Sequence, residues 1–254
     1  VDPTGATTVA LSDDSSSEVP LPFTFSSYGT TYSRVSIASN GYLKLGGGAA
    51  TAYSNVAIPN ASDPNAYIAP AWDDWNPGAG GTVSYRTTGT APNRRFVVTW
   101  LNIPNYSVTG SAVSFQAVLE EGGDAFRIQY LDMVTGSASY DYGLSATAGV
   151  EGATGEWGTS VSYLQSRLTD GSAWRCSAVA GIPPTIGAVS WPDAPTGVAY
   201  DVDLSASGGV GPYTWTIASG ALPAGLTLDR STGSVSGTPT SAGTASFTVS
   251  ASGT

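Results

Sequence analysis

Histidine is absent from the 254 residues, lysine occurs once, as Lys44, and cysteine once, as Cys176. Without histidine there is no Ser-His-Asp or Cys-His nucleophile system, no His-ligated zinc, and none of the commonest general base. A single cysteine excludes an internal disulfide framework. For an exported chain, that points to the exterior of a bacterium or archaeon. No run of about 18 apolar residues is present, so no helix is expected to span a membrane. Charged residues make up only 11%, well below the usual quarter, and the Glu, Lys, Arg and Gln of charge-patterned helices are scarce. Nine basic residues stand against 19 acidic ones, a formal charge of −10. The basic residues are scattered along the chain apart from Arg94-Arg95. Such a chain neutralises few phosphates, which argues against nucleic acid and anionic lipid as partners, and without a long apolar run no membrane insertion is expected. The first residue is Val1, the only methionine is Met133, and no signal peptide is seen. The sequence therefore reads as a processed form or excised segment whose export signal lay upstream.

Glycine (32) and proline (16) are abundant instead, and serine and threonine are everywhere, the composition of short strands joined by tight turns. Alternation with a period of two recurs: Val35 and Ile37; Phe96, Val98 and Trp100; Val113, Phe115, Ala117 and Leu119; Phe126, Ile128 and Tyr130. Ser39-Asn40-Gly41 between two apolar runs predicts a hairpin with positive φ at both turn positions. Further strands are expected at 83–87, 142–150 and 172–178. Residues 1–20, with the acidic run Asp13 to Glu18, read as a solvated loop, with the alternative that Thr7 to Leu11 forms an edge strand before the acidic run. No apolar period of 3.6 residues persists. The chain thus predicts an all-β protein: a large antiparallel β-sandwich of about ten strands over 1–180, then a small Ig-like β-sandwich over 181–254. Pro183-Pro184 stiffens the backbone, and the boundary is expected at 180–184.

Motifs in the second segment carry a resemblance. They are Gly211-Pro212-Tyr213-Thr214-Trp215, Leu222-Pro223-Ala224-Gly225-Leu226, Ser231-Thr232-Gly233-Ser234-Val235-Ser236-Gly237-Thr238-Pro239 and Ala242-Gly243-Thr244-Ala245-Ser246-Phe247. This stretch resembles the cadherin-like Ig repeat of large bacterial surface and secreted proteins. The resemblance implies a sandwich in which Gly225, Gly233 and Gly237 take positive φ. Many such repeats end in an acidic calcium ligand, whereas this chain ends Ser252-Gly253-Thr254. In the first segment, Leu21-Pro22-Phe23-Thr24-Phe25, Ser39-Asn40-Gly41-Tyr42-Leu43, Ile68-Ala69-Pro70-Ala71-Trp72-Asp73-Asp74 and Gly149-Val150-Glu151-Gly152 resemble nidogen-like β-sandwich domains of bacterial exoproteins. That resemblance implies extracellular attachment or assembly and carries no catalytic residues.

Four candidate chemistries follow from the residues. Asp63, Asp73, Asp74 and Asn76 offer hard oxygen ligands on a Pro/Gly-rich loop, which suits calcium, although no cofactor is required. Trp72, Trp75, Tyr106 and Trp157 invite a sugar-stacking platform, with the alternative that they fill the core. Asp73 or Asp74 paired with Glu120 or Asp132 would be needed for a carboxylate glycosidase, since adjacent strand residues face opposite ways. Thr7, Val9 and Leu11 form an apolar–polar segment able to add to a neighbour's sheet, with pairing inside its own domain as the alternative. Cys176 reads as a buried, inert thiol, Lys44 as a candidate isopeptide donor, and Asn60 and Asn105 match the glycosylation sequon. The expectation is a secreted or cell-surface module, not an enzyme, for adhesion or structural assembly, as in an extracellular fibre. Its partner would be a surface or matrix glycan or protein, or further copies of itself. The alternatives are a carbohydrate-binding accessory region of a secreted enzyme and a secreted glycosidase.

Overall fold

The structure is a computed structural model, describing residues 4–176, 184–207 and 212–252. The chain forms two compact units, Val1–Ser177 and Ala178–Thr254. The boundary expected at 180–184 lies outside the described residues except for Pro184.

The first unit contains twelve strands: β1 (Thr7–Val9), β2 (Ser16–Ser27), β3 (Thr30–Ala38), β4 (Leu43–Leu45), β5 (Tyr67–Trp72), β6 (Thr82–Thr88), β7 (Arg95–Ile103), β8 (Val113–Glu120), β9 (Phe126–Asp132), β10 (Thr147–Glu151), β11 (Gly158–Tyr163) and β12 (Ala173–Cys176). They form two six-stranded antiparallel sheets, one in the order β1-β6-β7-β8-β9-β12 and the other β11-β10-β5-β4-β3-β2. The inward residues of the alternating strands, including Val35, Ile37, Phe96, Val98, Trp100, Phe115, Leu119 and Ile128, make one continuous core. Aromatic tips tie the sheets together: Trp100 Nε1 donates to Ala38 O at 3.0 Å and the Tyr130 hydroxyl to Pro70 O at 2.6 Å. Each indole or phenol is thereby buried with its one polar donor satisfied.

A second, smaller core forms on the outer side of the β5 sheet, where Tyr42, Tyr67 and Trp72 pack with Ala38, Ala50, Ile58 and Ala69. The connection between β4 and β5 covers them and is held by polar pins. Trp72 Nε1 donates to Ala52 O at 2.9 Å, Asn55 Nδ2 to Ser145 O at 2.7 Å, and Asn60 N to Glu151 Oε2 at 2.7 Å.

Several local expectations need correction. The segment 1–20 is loop only in part: β2 begins at Ser16, and Glu18 pairs with Arg34 across the β2–β3 ladder. At Ser39-Asn40-Gly41 only Gly41 has positive φ, at 76°, because Asn40 is recruited to tie three loops together instead of forming a two-residue turn. A Cβ on Gly41 would lie 2.2 Å from Ala71 O. In place of one strand over 142–150 there is a single 3₁₀ turn at Asp141–Gly143 and then β10. The Asp141 carboxylate explains the turn, since its Oδ1 accepts from Thr135 N at 2.7 Å and Gly136 N at 3.1 Å. The strand β11 falls in a Gly/Ser/Thr-rich stretch whose alternation is too weakly apolar to read.

The second unit contains β13 (Thr185–Ile186), β14 (Tyr200–Asp203), β15 (Ala206–Ser207), β16 (Thr214–Gly220), β17 (Leu226–Leu228), β18 (Ser234–Gly237) and β19 (Phe247–Ser252). Their pairings are β13-β15, β14-β18-β17 and β16-β19. Among the described residues, its buried hydrophobic cluster is small: Leu204, Trp215 and Val235. Gly225, Gly233 and Gly237 do take positive φ, at 93°, 80° and 140°. Gly233 is needed for a further reason, because a Cβ there would lie 2.7 Å from the Trp215 indole.

Candidate functional site

Three turns meet at the end of the first unit where β5 terminates: Ser12–Ser15, Ser39–Tyr42 and the loop that starts at Asp73. Asn40 joins them. Its Nδ2 donates to Asp14 Oδ1 at 2.8 Å, its Oδ1 accepts from Trp75 N at 3.0 Å, and its carbonyl accepts from Asp73 N at 3.3 Å. Ser39 Oγ accepts from Ser15 N at 3.0 Å. The result brings carboxylate oxygens of Asp13, Asp14 and Asp74 within 4.8 Å of one another. Burial, then the neighbouring Asp14, Asp13 and Asp73 charges, push Asp74 up to about 6. Burial, then Asp14, raises Asp13, one of whose oxygens is enclosed without a hydrogen-bond partner. Three hard oxygen donors that repel one another are relieved either by a proton or by a hard cation such as calcium.

The expected calcium set is therefore regrouped. Among the described residues, Asp74 joins a cluster but Asp63 and Asp73 do not. Asp73 is nearly buried and spent on structure: Oδ2 accepts from Ser145 Oγ and Oδ1 from Asp74 N. Asn76 Oδ1 accepts from Ala79 N at 3.1 Å, capping its own turn, and Asp63 is exposed in the β4–β5 connection. The partners sequence reasoning missed are Asp13 and Asp14, which sit 61 and 60 residues from Asp74 in sequence and are recruited through Asn40.

The sugar-stacking set is corrected as well. Trp72 and Trp75 are wholly buried. Trp72 faces the smaller core, and Trp75 packs on Phe115 with ring centroids 5.9 Å apart. Tyr106 and Trp157 are exposed, but they belong to opposite ends of β5. Tyr106 N donates to Asp74 O, just past the strand's last residue, while Trp157 O accepts from Gly152 N, just past Glu151, the partner of Tyr67 at its start. Six residues of strand separate those ends by roughly 17–20 Å, so the four rings form no common platform.

The other carboxylates of the glycosidase pairing are likewise engaged in structural bonds. Glu120 accepts from Arg127 Nε at 2.7 Å and Arg175 Nη2 at 2.9 Å, and those bonds outweigh burial to lower its pKa. Asp132 Oδ1 caps Val134 N at 3.0 Å. Lys44 Nζ donates to the Ala49 carbonyl at 3.2 Å. Cys176 is half-buried at the end of the edge strand β12, its thiol pushed up by burial, and the neighbouring Trp174 is partly exposed, so that strand is less enclosed than expected. Asn105 is buried, out of reach of a glycosylating enzyme. Thr7–Val9 pairs antiparallel with β6 of its own sheet, Val9 is buried and Leu11 packs on the core, which is the alternative weighed for that segment.

Two further features escaped the sequence. Glu151 is fully buried, and burial pushes it up to about 7 against the lowering bond from Asn60 N. Arginines that read as scattered converge: Arg86, Arg95 and Arg127 line one concavity on the outer face of the β7 sheet. That face was legible only through register, which sets Arg86 opposite Val97, Val97 opposite Val118, and Val118 opposite Arg127.

The architecture defines an all-β, two-module protein without a recognisable catalytic constellation among the described residues. The family described as NIDO related matches residues 1–191, and the chain belongs to it. The family described as Putative Ig domain matches residues 183–254. No curated protein and no solved structure matches the chain. Nidogen-related and Ig-like modules are non-enzymatic and point to an extracellular or surface protein. No described helix is long and apolar enough to cross a membrane.

Proposed function

We propose that this chain is a non-catalytic module of the cell exterior that serves attachment or structural assembly. The observation that carries the reading is the pairing of a NIDO-related sandwich with an Ig-like module. The absence of histidine and the structural use of Asp73, Glu120 and Asp132 support it. Beads coated with the purified chain should be retained on surface or matrix preparations, or the free chain should self-associate in sedimentation velocity. A chain that is both unretained and monomeric at high concentration would sink the reading. The calcium expectation moves to Asp13, Asp14 and Asp74. Millimolar calcium at pH 7 is expected to raise the melting temperature of the wild type by a few degrees and to leave Asp74→Asn unmoved. Equal shifts in both proteins would refute the assignment.

A further inference from the structure

We propose that the concave outer face of the β7 sheet binds a carboxylate-bearing sugar residue, such as a uronic acid, of an acidic glycan. The site deepens the attachment reading and rests on it for its role. The cavity has a volume of about 320 Å³, the small end of the range for ligand sites. Its floor is apolar, since Val97 and Val118, directly opposite one another on β7 and β8, are 8% and 6% exposed. Two planar amides extend that floor. Gln116 and Gln129 are cross-strand partners that both line the cavity, and Gln116 Nε2 donates to Thr99 Oγ1 at 2.7 Å, which holds its amide in place. The rim is cationic. Arg86 is anchored by a bond to Thr4 O at 3.1 Å, and Arg127 by one to Glu120 at 2.7 Å. Arg95 is exposed, and its cross-strand neighbour Glu120 is taken up by Arg127 and Arg175.

The chemistry selects the ligand. Three guanidinium groups around one concavity, in a chain of net charge −10, are a local exception that calls for a carboxylate or similar anion, with Arg able to bind it bidentately. The two amides and Thr88 offer both donors and acceptors, which hydroxyls use and a phosphate or sulfate does not. Val97 and Val118 suit the apolar face of a pyranose ring. Extended nucleic acid is disfavoured, because the basic groups form one small patch and cannot track a phosphate backbone.

The test uses the intact chain with trigalacturonic acid as probe, its methyl ester and a neutral galactose trisaccharide as controls, and methyl and side-chain amide NMR as readout. Saturable shifts are expected at the Val97 and Val118 methyls and the Gln116 and Gln129 amides. Affinity should fall at least tenfold in Arg95→Ala, in Gln129→Ala and with the methyl ester, with folding checked by the unchanged core methyl spectrum. The proposal is overturned by absent shifts, by shifts confined elsewhere, by affinities unchanged in both variants, or by equal binding of inorganic sulfate. Bead retention is scored in parallel. Retention without sugar binding overturns the pocket and leaves the attachment reading standing. Sugar binding by a chain that is unretained and monomeric upholds the pocket and removes the attachment-or-assembly reading.

Discussion

Single residues in this protein are mostly spent on closing turns, and Glu151 shows the cost of one such use. It is wholly buried, accepts from Asn60 N, and faces Asn65, whose amide nitrogen, in the orientation that satisfies its neighbours, lies 3.1 Å from Glu151 Oε1. Its pKa of about 7 in the fold stands above the ordinary 4.5, so the folded state holds the proton more tightly than the unfolded chain does. The associated stability is complete below about pH 4.5 and is lost as pH rises through 7. Asp74, raised from 3.8 to about 6, acts in the same direction over a lower window. The carboxylates lowered by their partners, Glu121 by Arg94 and Asp141 by Thr135, act in the opposite direction and lose their contribution in acid. Thermal stability of the first unit should therefore peak in mildly acidic solution and decline toward pH 8. Glu151→Gln keeps an acceptor for Asn60 N and removes the titration. It is expected to stabilise the unit at pH 8 by on the order of 1–3 kcal/mol and to flatten the slope between pH 5 and 8, read as melting temperature against pH. A variant whose slope matches the wild type's would refute the account.

Among the elements, the edge strand β1 shows how little chain can guard a sheet. It contributes three residues, Thr7–Val9, paired with Val83–Tyr85 of β6, and buries Val9. Removing residues 4–10 deletes that apolar contact, worth about 2 kcal/mol, and bares the backbone of β6, with Val83 beneath. Exposed edges recruit other strands unless guarded by lysine, proline or bulges. β6 has the sequence Thr-Val-Ser-Tyr-Arg-Thr-Thr, without lysine or proline. The truncated protein should melt earlier and associate with rising concentration in sedimentation velocity. If it stays monomeric, β1 is not an edge guard. Elements were also where the sequence spoke most clearly. Inward residues such as Phe96, Val98 and Trp100 declared β7 by alternation, because one face of each strand is buried and side chains repeat every two residues. The smaller core did not declare itself. Tyr42, Tyr67 and Trp72 belong to β-rich segments, but the loop that buries them is a Gly/Ala/Ser/Asn-rich stretch without periodicity, fixed by side-chain-to-backbone bonds between residues distant in sequence. Loop-borne acidic and aromatic residues were misgrouped for the same reason. Asp74 finds Asp13 and Asp14 only because Asn40 reaches both segments, and no local spacing encodes that.

At the scale of the whole molecule, the two units differ most in the depth of their cores. The first has an extensive interior between two six-stranded sheets and a second core outside one of them. The second buries Leu204, Trp215 and Val235 and leaves a mixed polar and apolar cleft of about 1020 Å³, whose apolar lining includes Ile186, Val189, Trp191, Leu222 and Phe247. A module of this size rarely draws more than about 3–5 kcal/mol from a single core. Trp215 is the bulkiest of the three buried side chains; its indole lies against Gly233 and its backbone N–H bonds Arg230 O at 2.9 Å. Truncating a buried tryptophan costs about 3–5 kcal/mol, comparable to everything the module has. Trp215→Ala should therefore leave the second unit unfolded at 25 °C while the first, whose cores share no residue with it, stays intact. Calorimetry of the wild type should resolve two transitions, and the variant should lose the smaller one with the larger unshifted. Limited proteolysis should then digest residues 184–252 and spare 4–176. A single transition that moves as a whole in the variant would mean that the modules unfold together, and the independence read from their separate cores would be wrong.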